Sequence, residues 1–332
     1  MRPPLFWNRP ADRPAWQSRM LSPLAWLYAS ATARRVARPP SVNASVPVIC
    51  IGNINAGGTG KTPTTIAVTQ LLQDLGHTVV CLTRGYGGTL DGPVLVTPKH
   101  TAAQVGDEPL LLAGFADVIV SKDRGAGVPM AMDQKPDVIV MDDGFQNPDL
   151  RKDLSIVVVD ATVGFGNGFV LPSGPLREPV STGLARADML ISIGGSAAQN
   201  SFDATWGDAI PCPQIQATLE PLPTGMPWDG VKCLAFAGIG HPEKFFATLR
   251  GLGAEVARGE ALADHQPLSD ALMTRLEAEA RLLGAQLVTT EKDAVRLPPS
   301  FRAKVLTLPV RLKIKDDTDL RAALSKLGLG QT

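Results

Sequence analysis

The 332-residue chain has the composition of a globular protein, with 44% hydrophobic and 19% charged residues. Its 32 basic and 32 acidic residues balance, so no overall charge favours nucleic acid and we expect no such partner. The length predicts two domains, because one domain typically holds about 150 residues. The four cysteines lack the spacing of metal ligands, and Cys50, Cys81 and Cys233 lie in apolar runs, which is typical of buried thiols in a reducing compartment.

The first 40 residues differ from the rest by their positive charge. They hold seven arginines against one acid, Asp12, and three of the five tryptophans. Ser22-Pro23 predicts a helix start, and the helix carries an apolar face made of Leu24, Leu27, Tyr28 and Ala31. The apolar stretch is too short to span a bilayer, which needs about 20 apolar residues. Two interpretations remain: a segment that lies in an anionic membrane surface, or a helix that packs on its own domain.

Residues 46–65 combine an apolar strand, a glycine-rich loop and a helical run, which is the P-loop arrangement. In a P-loop the backbone N–H groups and the helix N-terminus bind phosphate, the lysine reaches the β- and γ-phosphates, and the hydroxyl binds Mg²⁺. The strict pattern has glycine where this chain has Asn55, so this is a variant. A glycine turn without a ligand is the alternative. We interpret the stretch as a nucleotide-binding loop, formed by Asn55, Ala56, Gly57, Gly58, Thr59, Gly60, Lys61 and Thr62.

An alternation of short apolar strands with helical stretches follows the P-loop. A helix is expected to begin within 106–116, and strands are predicted at 78–83, 117–121, 137–141, 154–160 and 187–193. Continuous apolar strands of this kind indicate a parallel sheet covered on both faces. The fold class is therefore α/β, with a P-loop-containing, doubly wound, mostly parallel sheet. In such sheets, ligands bind beyond the carboxyl ends of the strands.

Asp142 and Asp143 follow the strand at 137–141. A carboxylate after an apolar strand is the usual partner of a P-loop in holding Mg²⁺. The alternative is a simple turn, since Asp and Gly favour turns. We expect the pair to hold the metal, and which of the two binds it stays open.

Three further loops carry candidate residues. In the loop at 83–88, Tyr86 could contact a phosphate or a sugar. The alternative is a glycine-rich loop without a ligand. Taken without context, Asp107 is interpreted as the cap of the helix that follows it. Arg177 and Glu178 lie in the proline-rich loop at 172–179, where they contact a ligand or form a surface salt bridge.

The sequence changes character after residue 200. Residues 201–230 are rich in Gly, Ser and Pro and predict a linker. Strands at 232–240, 286–293 and 304–312, with helices at 242–252 and 317–328, predict a second, smaller α/β unit over 231–332. His265 has the best position for chemistry among the four histidines, although a lone loop histidine is usually not catalytic.

Several motifs occurring in one order resemble the tetraacyldisaccharide 4'-kinases, which phosphorylate the lipid A precursor. They run through nearly the whole chain: GNINAGGTGKTP (52–63), TRGYGG (83–88), GDEP (106–109), DDGFQ (142–146), LPSGPLREP (171–179), FAGIGHPEKFF (236–246), ADHQ (263–266) and TTEKDAVRL (289–297).

This resemblance implies two α/β/α domains with a cleft between them. It implies transfer of the ATP γ-phosphoryl group to the 4'-hydroxyl of a tetra-acylated glucosamine disaccharide 1-phosphate, with Mg²⁺. The basic N-terminus is similar to the family's membrane-associating segment, which favours the membrane interpretation. The implied location is the cytoplasmic face of the bacterial inner membrane, with no obligate protein partner.

The resemblance also implies residue roles. Lys61 and Thr62 handle phosphates and Mg²⁺, and Asp142 or Asp143 completes the metal site. Asp107 and His265 form an Asp–His pair that activates the acceptor hydroxyl. The residues similar to those that line the nucleotide and metal site are Tyr86, Arg177 and Glu178. This chain departs from the family at His241, commonly Asn, and at Gln266, commonly His or an aromatic residue.

Two other classes of P-loop protein remain as alternatives. One is an NTPase switch associated with membranes, although the spacing for guanine selectivity fails because Lys292 and Asp293 are adjacent. The other is a membrane-docked module that binds nucleotide without turnover. Consumption of ATP stimulated by a lipid acceptor distinguishes the kinase from both.

Overall fold

The computed structural model describes residues 4–263 and 266–330. Its strands are β1 (Val48–Gly52), β2 (Val79–Thr83), β3 (Val94–Leu95), β4 (Asp117–Val120), β5 (Val138–Asp142), β6 (Leu154–Asp160), β7 (Met189–Ile193), β8 (Gln214–Pro221), β9 (Lys232–Ala237), β10 (Glu255–Ala261), β11 (Gln286–Thr290), β12 (Val305–Leu308) and β13 (Val310–Ile314). Its α-helices are α1 (Trp16–Val36), α2 (Lys61–Asp74), α3 (Ala102–Val105), α4 (Asp107–Leu112), α5 (Arg124–Asp133), α6 (Val180–Leu184), α7 (Ser196–Trp206), α8 (Pro242–Gly251), α9 (Asp270–Leu283), α10 (Glu291–Ala294), α11 (Pro299–Arg302) and α12 (Thr318–Lys326). Short 3₁₀ helices lie at Leu5–Asn8 and Gly207–Ala209.

A large sheet forms the body of the molecule, with the strand order β13-β8-β7-β6-β1-β5-β2-β4-β3. Its inner strands run parallel, while β3 and β13 pair antiparallel with their neighbours at the two edges. The predicted strands after the P-loop form β2, β4, β5, β6 and β7. β1 lies at the centre, so the P-loop follows a strand with neighbours on both sides.

Both faces of the large sheet are covered. Ile49 and Ile51 of β1 lie in one apolar cluster together with Leu72 of α2. The intervening Val48 and Cys50 point to the other face, where α1 and α5 contribute to a second cluster. The predicted doubly wound α/β fold is therefore confirmed.

A second, four-stranded parallel sheet has the order β10-β9-β11-β12. Helix α8 packs on one face of it through Phe245 and Phe246, and helix α9 packs on the other through Met273 and Leu276. This is the smaller α/β/α unit. An ion pair across the junction joins Lys244 of α8 to Asp160 at the end of β6, with 2.6 Å between Nζ and Oδ2.

The linker predicted at 201–230 is wrong for much of its length. Helix α7 extends to Trp206, whose ring meets Phe165 edge-on at 5.2 Å between centroids. Strand β8 then pairs with β7 in the large sheet. Gly, Ser and Pro in this stretch suggested a linker, but a short helix with few buried residues and an outer strand have weak apolar patterns.

The boundary predicted at 231–332 also needs correction at its C-terminal end. The run at 304–312 is two strands broken at Pro309: β12 lies in the small sheet, and β13 crosses to the large sheet beside β8. Leu320 and Leu324 of α12 then pack in the core of the large sheet. A short apolar run predicts a strand, but it does not predict which sheet that strand joins.

Helix α1 begins at Trp16, earlier than the predicted start at Ser22-Pro23. Pro23 has no N–H to donate to the Arg19 carbonyl, and the Ser22 hydroxyl donates to that carbonyl instead over 2.7 Å. The helix therefore continues through the proline. Within the described part of the chain, no helix is long and apolar enough to cross a membrane.

Candidate active site

The loop at 53–60 joins β1 to α2 and forms an open cradle. Gly57 and Gly60 have φ angles of 125° and 95°, which favour glycine. Asn53 stabilises the loop from within, because its Nδ2 donates to Gly57 O over 3.2 Å and to Thr59 Oγ1 over 3.0 Å. Apart from the adjacent residues, no described atom lies within 4 Å of a Cβ placed on Gly57 or Gly58. The cradle therefore has free space next to the N-terminus of α2, which is suited to phosphate.

Asn55, the departure from the strict P-loop pattern, is buried and anchors the loop. Its Nδ2 donates to Gly164 O over 3.0 Å. The next backbone N–H, of Ala56, donates to Pro175 O over 2.6 Å, and Arg177 N donates to Ile54 O over 2.7 Å. The loop at 164–177 thus supports the phosphate-binding loop from behind.

Lys61 and Arg177 converge on Asp143. Lys61 Nζ lies 3.6 Å and Arg177 Nη1 lies 3.2 Å from Asp143 Oδ1. Burial alone would raise the pKa of the Asp143 carboxyl, but the charges of Lys61, Arg177 and Arg124 outweigh it and hold that pKa below its usual value. Asp143 is therefore an ionised carboxylate that already has cationic partners.

Asp142 has the opposite environment. It ends β5, is buried, and accepts a hydrogen bond from Thr65 Oγ1 of α2 over 2.9 Å. Burial, followed by the charges of Glu108 and Asp143, raises the pKa of this carboxyl to about 7, against the opposing charge of Lys61. The nearby positive charge of the protein is therefore too small to offset the cost of burying a negative charge at Asp142.

These surroundings fit a bound Mg²⁺. β1 and β5 are in register at Ile51 and Asp142, so the P-loop and Asp142 leave the sheet at the same edge. Thr62 and Asp142 offer the hydroxyl and carboxylate oxygens that Mg²⁺ prefers. Among the described residues, no three Asp, Glu, His or Cys side chains are grouped to hold a metal alone. Mg²⁺ at a nucleotide site needs no such group, because phosphates and water supply its other ligands.

Asp107 lies in the first turn of α4, while Gly106 occupies the capping position. Its side chain is buried, and its Oδ1 accepts a hydrogen bond from Glu108 N over 3.0 Å. Asp107 faces the second unit, where Arg296 Nε lies 3.9 Å from its Oδ2. Beside this contact, Lys292 Nζ lies 3.2 Å from Glu108 Oε1. Asp107 is thus placed where the two units meet, as a residue acting between them must be.

His265, the proposed partner of Asp107, lies outside the described residues. The described residues on either side of this position are bonded: Ala263 N donates to Gln266 Oε1, and Arg296 Nη1 donates to Gln266 O, each over 3.0 Å. Arg296 therefore contacts Asp107 and the backbone next to His265 in sequence.

Tyr86 lies near Asp107 because its backbone packs against that of Gly106. A Cβ on Gly106 would lie 2.6 Å from Tyr86 O, so the loops at 83–88 and 104–107 approach each other at a distance that glycine allows. The Tyr86 side chain is 68% exposed. The structure brings Tyr86 to the same end of the sheet as the P-loop, and its contact with nucleotide stays a prediction.

Glu178 occupies a different environment from Arg177. Its carboxylate is buried, and its two oxygens accept hydrogen bonds from Gln146 Nε2 over 2.9 Å and from Arg186 Nη2 over 2.5 Å. The Gln146 Oε1 in turn accepts from Arg177 Nη1 over 3.1 Å. Glu178 therefore supports the loop that orients Arg177, and its predicted place beside the nucleotide stays a prediction.

The sequence interpretation missed two supporting residues, Arg124 and Gln146. Arg124 is buried behind the acidic pair and donates from Nη2 to Asp143 O over 2.7 Å. Gln146 also donates to Asn53 O over 2.7 Å, which links the loop after β5 to the P-loop. Arg124 follows β4 at the carboxyl edge of the sheet, so the strand-end rule that selected Asp142 also applied to it.

Comparison with known proteins agrees with this architecture. The chain matches the family described as Tetraacyldisaccharide-1-P 4'-kinase (LpxK) over residues 17–328. A curated relative from Dinoroseobacter shibae, named Tetraacyldisaccharide 4'-kinase, is 59% identical over 329 residues, covering 98% of each chain. A relative of the same name from Rhodospirillum rubrum is 46% identical over 332 residues, covering 100% of this chain and 99% of its own.

A solved structure shows the same fold. LpxK from Aquifex aeolicus, crystallised in complex with ATP, superposes with a TM-score of 0.75 at 26% sequence identity, over 93% of this chain and 99% of that one. The resemblance inferred from the motifs is confirmed across nearly the whole length. The chain belongs to the tetraacyldisaccharide-1-P 4'-kinase family.

Proposed function

We propose that this protein transfers the γ-phosphoryl group of ATP to the 4'-hydroxyl of a tetra-acylated glucosamine disaccharide 1-phosphate. Besides membership of the family, one structural observation supports this proposal. The phosphate cradle and the buried Asp107 lie at the carboxyl end of one sheet: Asp142 is in register with Ile51 before the cradle, and Gly106, next to Asp107, packs against the loop that follows the neighbouring strand β2. A phosphate site and a candidate base thus share one edge.

The phosphate-binding loop holds the nucleotide. Its backbone N–H groups and the N-terminus of α2 bind the phosphates, and Lys61 adds a positive charge at the γ-phosphate. Lys61 leaves Asp143 to do so, and Arg177 remains as the partner of that carboxylate. The cations stabilise the charge that builds on the transferred group.

Thr62 and Asp142 would hold Mg²⁺ in this proposal, and the ion would supply positive charge at the phosphates of ATP. Asp142 suits this role better than Asp143, because no described cation forms an ion pair with its carboxylate, whereas Asp143 contacts Lys61 and Arg177.

His265 removes the proton from the acceptor hydroxyl, and Asp107 orients the imidazole and stabilises its charged form. The motif carries the assignment of His265, and the position of Asp107 at the junction of the two units supports it. Because the pair draws one member from each unit, their approach assembles the site and excludes water from the γ-phosphate.

The protein binds the membrane surface through α1 in this proposal. The helix packs inward through the small residues Ser18, Ala25 and Thr32. Its large apolar side chains point outward, with 54–69% exposed at Trp16, Met20, Leu24, Trp26 and Leu27. A helix that stabilised its own domain would bury those residues, so the reversed arrangement favours contact with lipid. We infer a location on the cytoplasmic face of the bacterial inner membrane, where the acylated acceptor lies.

A detergent assay with γ-labelled ATP, Mg²⁺ and the disaccharide lipid tests the function. We expect label in the lipid, lost in Lys61→Ala and kept in Lys122→Ala, whose lysine pairs with Asp91 on the surface. Phosphate released to water with unlabelled lipid would indicate an NTPase switch. Nucleotide binding without turnover would indicate a binding module, and either result would overturn the proposal.

A further inference from the structure

The segment at 289–297 has no part in the mechanism above, yet its Arg296 reaches the other unit. Arg296 Nε lies 3.9 Å from Asp107 Oδ2. The side chains are 10% and 3% exposed, so little water screens their charges. A pair this buried stabilises only if each group also has other partners, and both do.

Arg296 is held firmly on its own side of the junction. Its Nη2 donates to Asp293, a fully buried carboxylate. Asp293 in turn accepts from Thr290 Oγ1 over 2.7 Å and from Gly238 N at 3.2 Å and 3.1 Å to its two oxygens. Asp293 thereby fixes the guanidinium to the carboxyl end of β9, the central strand that precedes Gly238.

Gly238 shows how closely this group is packed. A Cβ at this position would lie 2.8 Å from Arg296 Nη2 and 3.1 Å from Asp293 Oδ1. The motifs at 236–246 and 289–297 therefore fit together around one guanidinium. This arrangement leaves Arg296 few alternative positions.

The other two guanidinium nitrogens, Nη1 and Nε, lie toward Gln266 and Asp107. Nη1 donates to Gln266 O over 3.0 Å, one residue after His265 in sequence. Nε is buried and has no hydrogen-bond partner among the described residues. Its distance of 3.9 Å from Asp107 Oδ2 is an ion-pair distance that is just beyond hydrogen-bond range.

We propose that Arg296 is a positioning residue, which sets Asp107 of the first unit against the Gln266 backbone of the second. The proposal rests on the proposed function, in which Asp107 and His265 act as a pair. One planar guanidinium contacts Asp293, the Gln266 backbone and Asp107, and so links Asp107 to the backbone that follows His265 in sequence. The neighbouring contact between Lys292 and Glu108 is a second ion pair across the junction, again with the cation in the second unit and the carboxylate in the first.

A double-mutant cycle on the full chain tests this role. The turnover of Arg296→Gln, Asp107→Asn and the double variant is compared with that of the natural chain in the labelled-lipid assay. We expect Arg296→Gln to lower kcat by about 10- to 100-fold, since misplacing a catalytic group by about 1 Å costs on that order, with the KM for ATP nearly unchanged. In the Asp107→Asn background the same change is expected to lower kcat by less than about threefold, because residues that act as a unit are non-additive.

Arg275→Gln is the matched control. Arg275 also pairs with two carboxylates, Glu260 and Glu279, but within the second unit. It is expected to leave kcat unchanged in both backgrounds. Arg296→Lys keeps the charge and is expected to recover part of the turnover.

Equal losses from Arg296→Gln with and without Asp107 would overturn the proposal, because a purely structural role does not depend on Asp107. If Arg296→Gln fails to fold, the same cycle with Arg296→Lys decides by the same criterion. Failure of the natural chain to label the lipid would overturn the proposed function, and this inference with it. Labelling by the natural chain combined with additive losses would overturn the inference alone.

Discussion

Asn167 donates a hydrogen bond from Nδ2 to the hydroxyl of Ser18 over 2.9 Å, and so fastens helix α1 to the loop at 164–177. The same Nδ2 donates to Ser173 O over 3.0 Å within that loop. Trp7 Nε1 adds a second attachment by donating to Pro172 O over 3.1 Å. Because this loop also anchors Asn55 and Ala56, the exposed apolar helix and the phosphate-binding loop share one support.

Asn167→Ala is expected to lower the free energy of unfolding by about 1–3 kcal/mol, because it leaves buried polar partners unsatisfied. Urea unfolding followed by circular dichroism measures the change. Asn200→Ala is the control, since Asn200 is exposed on α7. Equal stability of the two variants would show that the Asn167 contacts are not stabilising.

Leu24→Ser with Leu27→Ser is expected to weaken binding to vesicles of phosphatidylglycerol and phosphatidylcholine by at least about tenfold, since burying one leucine contributes about 1.5–3 kcal/mol. Co-sedimentation with the vesicles measures the bound fraction. Leu282→Ser is the control, because Leu282 is 87% exposed on α9, away from the N-terminal helix. The membrane role of α1 is contradicted if both proteins bind alike.

Asp142→Asn is expected to stabilise the unliganded protein at pH 8 by about 1–2 kcal/mol while abolishing turnover, a common trade-off at functional sites. Burial raises the pKa of Asp142 to about 7 from its ordinary 3.8. Between these values the folded chain binds more protons than the unfolded chain, so the contribution of Asp142 to stability falls as pH rises and is least above pH 7. Asparagine does not titrate, so Asp142→Asn removes this contribution to the pH dependence of stability.

The pH dependence of urea unfolding, measured from pH 5 to pH 8 without Mg²⁺ or nucleotide, tests this prediction. The natural chain should lose more stability over that range than Asp142→Asn does. Asp74→Asn, changed at an exposed site on α2, should behave like the natural chain. If the free energy of unfolding changes with pH in the same way in the natural chain and in Asp142→Asn, then burial does not raise the pKa of Asp142 as we expect.

His265→Ala is expected to lower kcat by about 10²- to 10⁴-fold, the usual contribution of a positioned base, and to leave ATP affinity nearly unchanged. Single-turnover labelling measures the rate, and equilibrium binding of ATP measures the affinity. His100→Ala is the control, because the His100 ring is bonded to Thr97 in a loop. Full turnover by His265→Ala would remove this residue from the mechanism.

The local pattern of the sequence determined the phosphate-binding loop and the strands around it. Strand, glycines and helix at 46–65 are adjacent in the chain, so neighbouring residues specify the elements, although the loop at 164–177 also supports the glycine loop. Asp142 was predicted by the same kind of reasoning, because the carboxyl ends of parallel strands meet at one edge. The motifs further identified the family, which the comparisons confirm.

Only the tertiary structure distinguished Asp142 from Asp143, because the cations near Asp143 come from distant parts of the chain. Only the tertiary structure shows that β13 pairs in the large sheet, that α12 packs against that sheet, and that the large apolar residues of α1 are exposed. The contact between Arg296 and Asp107 depends on how two separately folded units meet. Sequence patterns report the local periodicity of burial, whereas these features depend on contacts between residues far apart in the chain.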